Sequence, residues 1–114
     1  MARADAEQLK GNTQALILAA LAEGPLHGYA IARRIEQLTD RYLGLNEGSL
    51  YPALHALEQQ GAVGASWESH GGRRRRVYRI TRQGRLLLAE LREQWRRFAD
   101  SMDRVLGVAL DGPG

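Results

Sequence analysis

The chain has 114 residues, of which 44% are hydrophobic and 25% charged, so it can form one domain with a modest core and is too apolar for a disordered chain. It contains no cysteine, which excludes disulfides, thiolate metal ligands and a cysteine nucleophile, and it lacks a run of roughly 20 apolar residues for a membrane span. The formal net charge is only +3, but seven arginines and no acid lie between positions 73 and 85. This concentration indicates a polyanionic partner, and the absence of an apolar signal region near the N-terminus favours a cytoplasmic location.

The first part of the chain predicts a flexible leader followed by two helices. We expect the leader over residues 1–11 and a first helix that Asn12 or Thr13 caps. Gly24-Pro25 ends this helix, and a second helix follows over about 28–42. At helical spacing, the buried stripe of the second helix consists of Ile31, Ile35 and Leu38.

A third helix carries the first group of candidate DNA-binding residues. Asn46 is a plausible cap for it, and its apolar stripe consists of Leu50, Leu54 and Leu57. Ser49, Tyr51 and His55 then point away from the stripe, where their hydroxyl and imidazole groups can reach phosphates or base edges. The alternative is that Ser49 only satisfies a backbone group, that Tyr51 packs against the following hairpin and that His55 is an ordinary surface residue.

The next segment predicts a two-stranded wing with a basic turn. Apolar residues alternate from Val63 to Trp67 and again from Arg76 to Ile80, which is typical of half-buried strands. The segment His70-Gly71-Gly72 separates them as a flexible turn. In or beside this turn lie the second group of candidate DNA-binding residues, Arg73, Arg74 and Arg75. Guanidinium groups pair with phosphates in a two-pronged geometry, although a solvated basic loop is the simpler alternative.

The last segment, 81–109, predicts a long helix that Thr81 caps and that reaches about Gly107, with a loose tail over 110–114. Apolar residues step along it by three and four, as in a heptad seam. They are Leu88, Leu91, Trp95, Phe98, Met102 and Val105. So small a domain cannot cover this surface, so we expect a symmetric homodimer. The predicted fold class is mainly α, with a winged helix-turn-helix over 12–80 and a C-terminal dimerisation helix.

These residues resemble the PadR family of bacterial transcriptional regulators, in its compact branch with one helix after the wing. The matching stretches are Leu26-His27-Gly28-Tyr29-Ala30-Ile31, Gly48-Ser49-Leu50-Tyr51-Pro52-Ala53-Leu54 with Leu57-Glu58 and Gly61, Trp67-Glu68, Gly71-Gly72-Arg73, Tyr78-Arg79-Ile80-Thr81, Gly84 and Trp95. The resemblance implies a homodimer on a palindromic operator, usually a repressor, and in many members relief by a small aromatic or hydrophobic effector. Three positions depart from the family pattern, namely Ala30, Glu47 and Ala56.

Trp95 is the main candidate for contact with such an effector. It lies in the middle of the seam, where paired indoles could stack on a flat ligand, or where they could simply fill the dimer core. Weaker candidates for the same chamber are Gln14, Ala15 and Ala99.

No cofactor, metal site or catalytic set is expected, since the three histidines are scattered and no phosphate-binding loop occurs. We therefore expect a double-stranded DNA-binding regulator and not an enzyme. Two alternatives stay open at this point: a winged-helix adaptor that binds another protein, and a dimer that binds hydrophobic ligands without specific DNA binding.

Overall fold

The computed structural model of the protein describes residues 3–4 and 6–108. Within them the elements follow in the order α1 Ala6–Leu9, α2 Thr13–Leu21, β1 Leu26–His27, α3 Gly28–Leu38, α4 Glu47–Gln59, β2 Val63–His70, β3 Arg73–Ile80 and α5 Arg82–Leu106. This architecture confirms the predicted mainly α fold class with a wing and a long last helix. None of the helices in this part of the chain is both long and apolar enough to cross a membrane. The predicted tail, 110–114, lies outside the described residues.

The two-stranded wing is confirmed as the β2–β3 hairpin, and among the described residues the sheet has a third strand that the sequence did not predict. The antiparallel order is β1-β3-β2, in which Leu26 pairs with Tyr78 and His27 with Val77. β1 has only two residues, which is too short for a period of two to be visible in the sequence. It forms because its backbone pairs with the free edge of β3, which lies about 50 residues later in the chain. A local sequence pattern cannot show such a pairing.

Three helices were expected to begin at a capping residue, and in two of them the side chain of that residue makes the capping hydrogen bond. Asn46 Oδ1 accepts a hydrogen bond from the backbone N–H of Ser49 at 2.9 Å. Thr81 Oγ1 accepts one from the N–H of Gly84 at 3.0 Å. Asn12 occupies the cap position of α2 but makes no such bond. The starts of α4 and α5 are therefore determined by capping side chains that can be identified in the sequence.

Part of the segment predicted as a flexible leader has regular structure and contacts the rest of the chain. Residues 6–9 form α1, and Leu9 packs against the core. The N–H of Ala4 donates to the carbonyl oxygen of Tyr42 at 2.9 Å, and Arg3 forms an ion pair with Glu36 at 2.8 Å. These contacts with α3 and with the loop after it are non-local, which is why local composition alone suggested flexibility.

α3 is shorter than the predicted segment 28–42. It ends at Leu38. The Leu38 side chain is 66% exposed, so the prediction that it belongs to the buried stripe was wrong. Thr39 is the C-cap of α3, and the next two residues, Asp40 and Arg41, have left-handed backbone angles, with φ of 49° and 68°. Two consecutive left-handed residues cannot continue a right-handed helix, so the chain turns here towards α4.

The core lies where α2 crosses the other elements. Its most completely buried side chains are Ile17, Leu18, Leu21, Ile31, Leu54 and Leu57. The buried stripe predicted for α4 is thereby confirmed. Leu88 is also in this core with 3% exposure, and Leu91 packs against it. Leu88 therefore serves the interior of its own chain, which corrects its assignment to an intermolecular seam, whereas Leu91 is only half-buried and its place in that seam stays a prediction.

Candidate nucleic-acid interface

α4 presents two chemically different faces. Its apolar stripe is buried, whereas Ser49, Tyr51 and His55 are all exposed on the outside, as the sequence predicted. Tyr51 is 43% exposed, and the His55 ring lies against the Gln59 amide, with 3.2 Å between the two Nε2 atoms. A helix held by its inner stripe and polar on its outer face has the form needed to enter a DNA groove.

Ser49 has a hydroxyl group that is available to a partner. Its backbone N–H is already satisfied by the Asn46 side chain, and its hydroxyl makes no hydrogen bond to any of the described residues. The alternative reading of Ser49 as a residue that only satisfies the backbone is therefore not what the structure shows. A free hydroxyl in the first turn of a helix can donate to a phosphate or to a base edge.

Tyr51 lies against the start of α3 and beside the wing. A Cβ atom added to Gly28 would lie 2.5 Å from the Tyr51 hydroxyl oxygen, so glycine is what allows the ring to pack there. The ring lines an open pocket of about 330 Å³ whose other walls are His27, Gly28, Tyr29, Arg75, Arg76 and Tyr78. Burial, and then the negative charge of Glu58, raise the pKa of Tyr78 above its ordinary 10.0, so its hydroxyl stays neutral at this cationic pocket.

The wing places its arginines on a strand. Gly71 and Gly72 have φ of 58° and 80° and form the two-residue turn, which leaves His70 paired with Arg73 in the ladder. Arg73 to Arg75 are accordingly the first residues of β3, next to the turn. Positive φ at both turn residues explains why two glycines occur there.

These arginines differ from those farther along β3 in their partners. Arg76 pairs with Glu58 at 3.3 Å, and Arg79 pairs with Glu68 at 3.1 Å. Among the described residues, the exposed Arg73, Arg74 and Arg75 have no carboxylate partner. The end of the wing therefore carries uncompensated positive charge, which favours contact with a polyanion.

Two further aromatic residues of this surface were not identified as candidates from the sequence. Tyr29 is 64% exposed at the start of α3, and Arg33 donates to its hydroxyl oxygen at 3.3 Å. Trp67 was expected on a half-buried face but is 55% exposed, with the guanidinium groups of Arg74 and Arg76 over its ring. The sequence contained a signal for both contacts. Arg33 lies four residues after Tyr29 on the same helix, and Arg74 lies on the strand that pairs with the strand of Trp67, so each arginine can reach the ring.

The outer half of α5 carries an uncovered row of apolar side chains. Trp95, Phe98, Met102 and Val105 are between 43% and 86% exposed, and the Trp95 and Phe98 rings lie 5.9 Å apart. Ala99 lies one turn beyond Trp95 on this helix. Of the other candidates for an effector chamber, Gln14 and Ala15 are on α2, and the Gln14 side chain accepts a hydrogen bond from Gln60 at 3.5 Å. In one chain Trp95 is 53% exposed, and the other three residues are half-buried on their helices.

The described residues contain no group of three or more histidine and carboxylate side chains that could hold a metal ion. The fold, the exposed polar face of α4 and the unpaired arginines beside it instead define a winged helix-turn-helix domain of the DNA-binding class. Comparison with known proteins identifies the family: the model of the transcriptional regulator PadR-like family matches residues 17–90, and the chain belongs to that family. This confirms the resemblance drawn from the sequence. It also supports the prediction of a DNA-binding regulator and not an enzyme.

Several individual proteins are similar to this chain. A transcriptional regulator from Clostridium thermocellum superposes with a TM-score of 0.81 at 28% identity, over 87% of this chain and 97% of that one. A PadR family transcriptional regulator from Eggerthella lenta gives a TM-score of 0.75 at 32% identity, over 88% and 86% of the two chains. An uncharacterized 37.1 kDa protein in transposon TN4556 of Streptomyces fradiae is 45% identical over 88% of this chain, which spans only 26% of that relative.

Proposed function

We propose that two copies of this chain form a homodimer that binds a palindromic operator and represses transcription. Each subunit inserts the outer face of α4 into a major groove, with the two half-sites about one helical turn apart. The unpaired arginines of each wing bind the flanking phosphates. Base edges are read from α4, whereas the wing supplies affinity that depends on salt.

One observation carries this proposal. The exposed polar face of α4 lies beside the three wing arginines, which have no carboxylate partner among the described residues, and Tyr51 and Arg75 line the same pocket. Guanidinium groups of one sign, concentrated at the end of the wing beside a helix with a polar outer face, match the phosphates that flank a groove, so this surface favours nucleic acid over a protein adaptor role.

The dimer is supported by the apolar row on α5. The helix has 25 residues and is about 37 Å long, so its outer half extends well beyond the small domain that covers Leu88. Exposed Trp95, Phe98 and Met102 form a contiguous apolar stripe of the kind that a second copy buries. A dimer formed through this stripe contains two α4 helices related by a two-fold axis, as a palindromic operator requires.

A small aromatic or hydrophobic effector is part of the proposal. Trp95 is exposed in one chain and its indole is available for stacking on a flat ligand. Gln14, Ala15 and Ala99 complete the proposed chamber only when the second copy is present. The dimer then has two states, which differ in the separation of their α4 helices. An effector relieves repression if it binds more tightly to the state whose separation does not fit the operator.

The operator is found by sequencing duplex DNA retained by the purified protein, and it is then used in gel-shift assays. Tyr51→Ala should weaken operator binding at least about tenfold, the loss expected for one good contact. Tyr42→Ala is the matched control, because Tyr42 is 42% exposed but lies in the loop before α4. An unchanged affinity of the Tyr51 variant would contradict the placement of α4, and retention of random duplex as tightly as any selected duplex would contradict specific binding.

Sedimentation tests the dimer separately. Wild-type protein should sediment as a dimer at micromolar concentration, and Phe98→Asp should shift it towards monomer, because a carboxylate in the apolar row would be buried without a partner. Arg104→Asp introduces the same group on a different face of α5 and should leave the dimer intact. A wild-type monomer at this concentration would refute the homodimer.

A further inference from the structure

We propose that Trp67 is a positioning residue for DNA binding. Its ring holds Arg74 in an orientation that binds phosphate, and it connects the wing to α4 through Arg76. This inference rests on the proposed function and deepens it. The sequence indicated Trp67 only as a residue of a half-buried strand. In the structure its indole is mostly in solvent and lies under two guanidinium groups.

The first step is the geometry of the three side chains. Trp67 and Arg76 are directly opposite each other in the β2–β3 ladder, and Arg74 lies two residues nearer the turn on the same face. The Cζ atoms of Arg74 and Arg76 lie 5.1 Å and 5.5 Å from the centre of the indole ring. Both distances are within the range of cation–π attraction, and tryptophan is the strongest aromatic partner for it.

The second step is that the two arginines have different partners. Arg76 is bound twice, by the Trp67 ring and by the Glu58 carboxylate of α4 at 3.3 Å. Arg74 is over the ring as well but has no carboxylate partner in the described part of the chain. Arg76 therefore anchors the indole to α4, and the indole restricts Arg74, whose charge stays available.

The third step is the consequence for binding. A long exposed side chain loses rotamer freedom when it binds a phosphate, and that loss weakens binding. A ring that already restricts Arg74 removes part of this cost before DNA arrives. The ring also fixes the direction of the charge relative to α4, since the contacts from Glu58 through Arg76 to Trp67 are continuous.

The test compares Trp67→Leu with Trp67→Phe on the operator found above. Leucine keeps an apolar side chain but has no aromatic face, whereas phenylalanine keeps the face. Trp67→Leu should raise the operator Kd about three- to tenfold for each subunit, the cost of ordering one free arginine, and therefore about ten- to a hundredfold for the dimer, and Trp67→Phe should raise it less. Neither change should alter the slope of log Kd against log salt, since Arg74 still reaches its phosphate. Thermal unfolding followed by circular dichroism checks that both variants are folded.

A double-mutant cycle with Arg74→Ala makes the role specific. In the Arg74→Ala background, Trp67→Leu should have little further effect on Kd, because the residue that it positions is gone. Fluorine NMR of protein labelled with 5-fluorotryptophan gives an independent readout, with the Trp67 resonance assigned from Trp67→Phe. Arg74→Ala should shift that resonance in the free protein.

The inference is overturned if Trp67→Leu binds like wild type, if phenylalanine and leucine weaken binding equally, or if the leucine effect persists in full without Arg74. The last result would make Trp67 itself a DNA contact. These failures are distinct from failure of the proposed function, which would appear as wild-type protein that does not distinguish its selected duplex from random DNA.

Discussion

Replacing Arg73 and Arg74 with alanine should reduce the salt dependence of operator binding. Both side chains are exposed on β3 next to the turn and have no carboxylate partner among the described residues, so in free protein their charge is uncompensated. Each phosphate that a cation neutralises releases counterions and adds about 0.9 to the magnitude of the slope of log K against log salt. Two contacts from each subunit of a dimer therefore contribute about 3.6 to that slope.

The consequence is large enough for a simple titration. Between about 50 and 200 mM salt, a slope difference of about 3.6 corresponds to a further loss of wild-type affinity of about 150-fold relative to the variant. Fluorescence anisotropy with a labelled operator at four salt concentrations gives both slopes. At the lowest salt the variant should bind much more weakly than wild type, and the two curves should converge as salt rises.

A matched control separates local phosphate contact from net charge. Arg96→Ala with Arg104→Ala also removes two cations, but these arginines pair with Glu93 at 2.9 Å and with Asp100 at 3.0 Å on α5. The control should keep the wild-type slope. If the wing variant also keeps it, or if both variants lose the same amount, the wing arginines do not bind phosphate and the reasoning is refuted.

Three further predictions concern packing and protonation. Gly28→Ala should weaken operator binding about as much as Tyr51→Ala in gel shifts without lowering the Tm, because its Cβ would lie 2.5 Å from the Tyr51 hydroxyl oxygen and displace the ring; normal binding would contradict this. Gly84→Ala should lower the free energy of unfolding in urea by about 1–3 kcal/mol, although alanine favours helices, because its Cβ would overlap the carbonyl oxygen of Ala62; equal or greater stability would disprove the overlap. The unfolded chain loses the Tyr78 proton near pH 10.0, whereas burial raises the pKa of this group in the folded state, so stability should fall as pH rises above that value. Tyr78→Phe should reduce this alkaline loss in melts at several pH values, and an unchanged loss would assign it to other groups.

Much of the fold is visible in the sequence because it depends on neighbours along the chain. The apolar period places α4 and α5, and Asn46 and Thr81 begin them with side-chain caps that the structure confirms. The Gly71-Gly72 pair predicts the turn of the wing, since both residues need positive φ. The outward direction of Ser49, Tyr51 and His55 follows from the same period once the buried stripe is known.

Other features of the site depend on residues that are distant in the sequence. Arg76 and Glu58 are 18 positions apart, so no local pattern shows that Arg76 is neutralised while Arg74 is not. Tyr51 has its place because Gly28 of another helix leaves room for the ring. Trp67 is exposed because its strand runs beyond the core, although its alternation with Val63 indicated partial burial.

By itself, the sequence determined the four longer helices to within a few residues, where the basic wing lies and which face of α4 is polar, because hydrogen bonding within a helix or hairpin and apolar periodicity are local properties. Only the tertiary structure decided that two-residue β1 completes the sheet, that Leu88 belongs to the core of its own chain and that the first arginines of β3 have no carboxylate partner in the described part of the chain. Burial and charge pairing depend on which elements meet in space, and that depends on the whole chain.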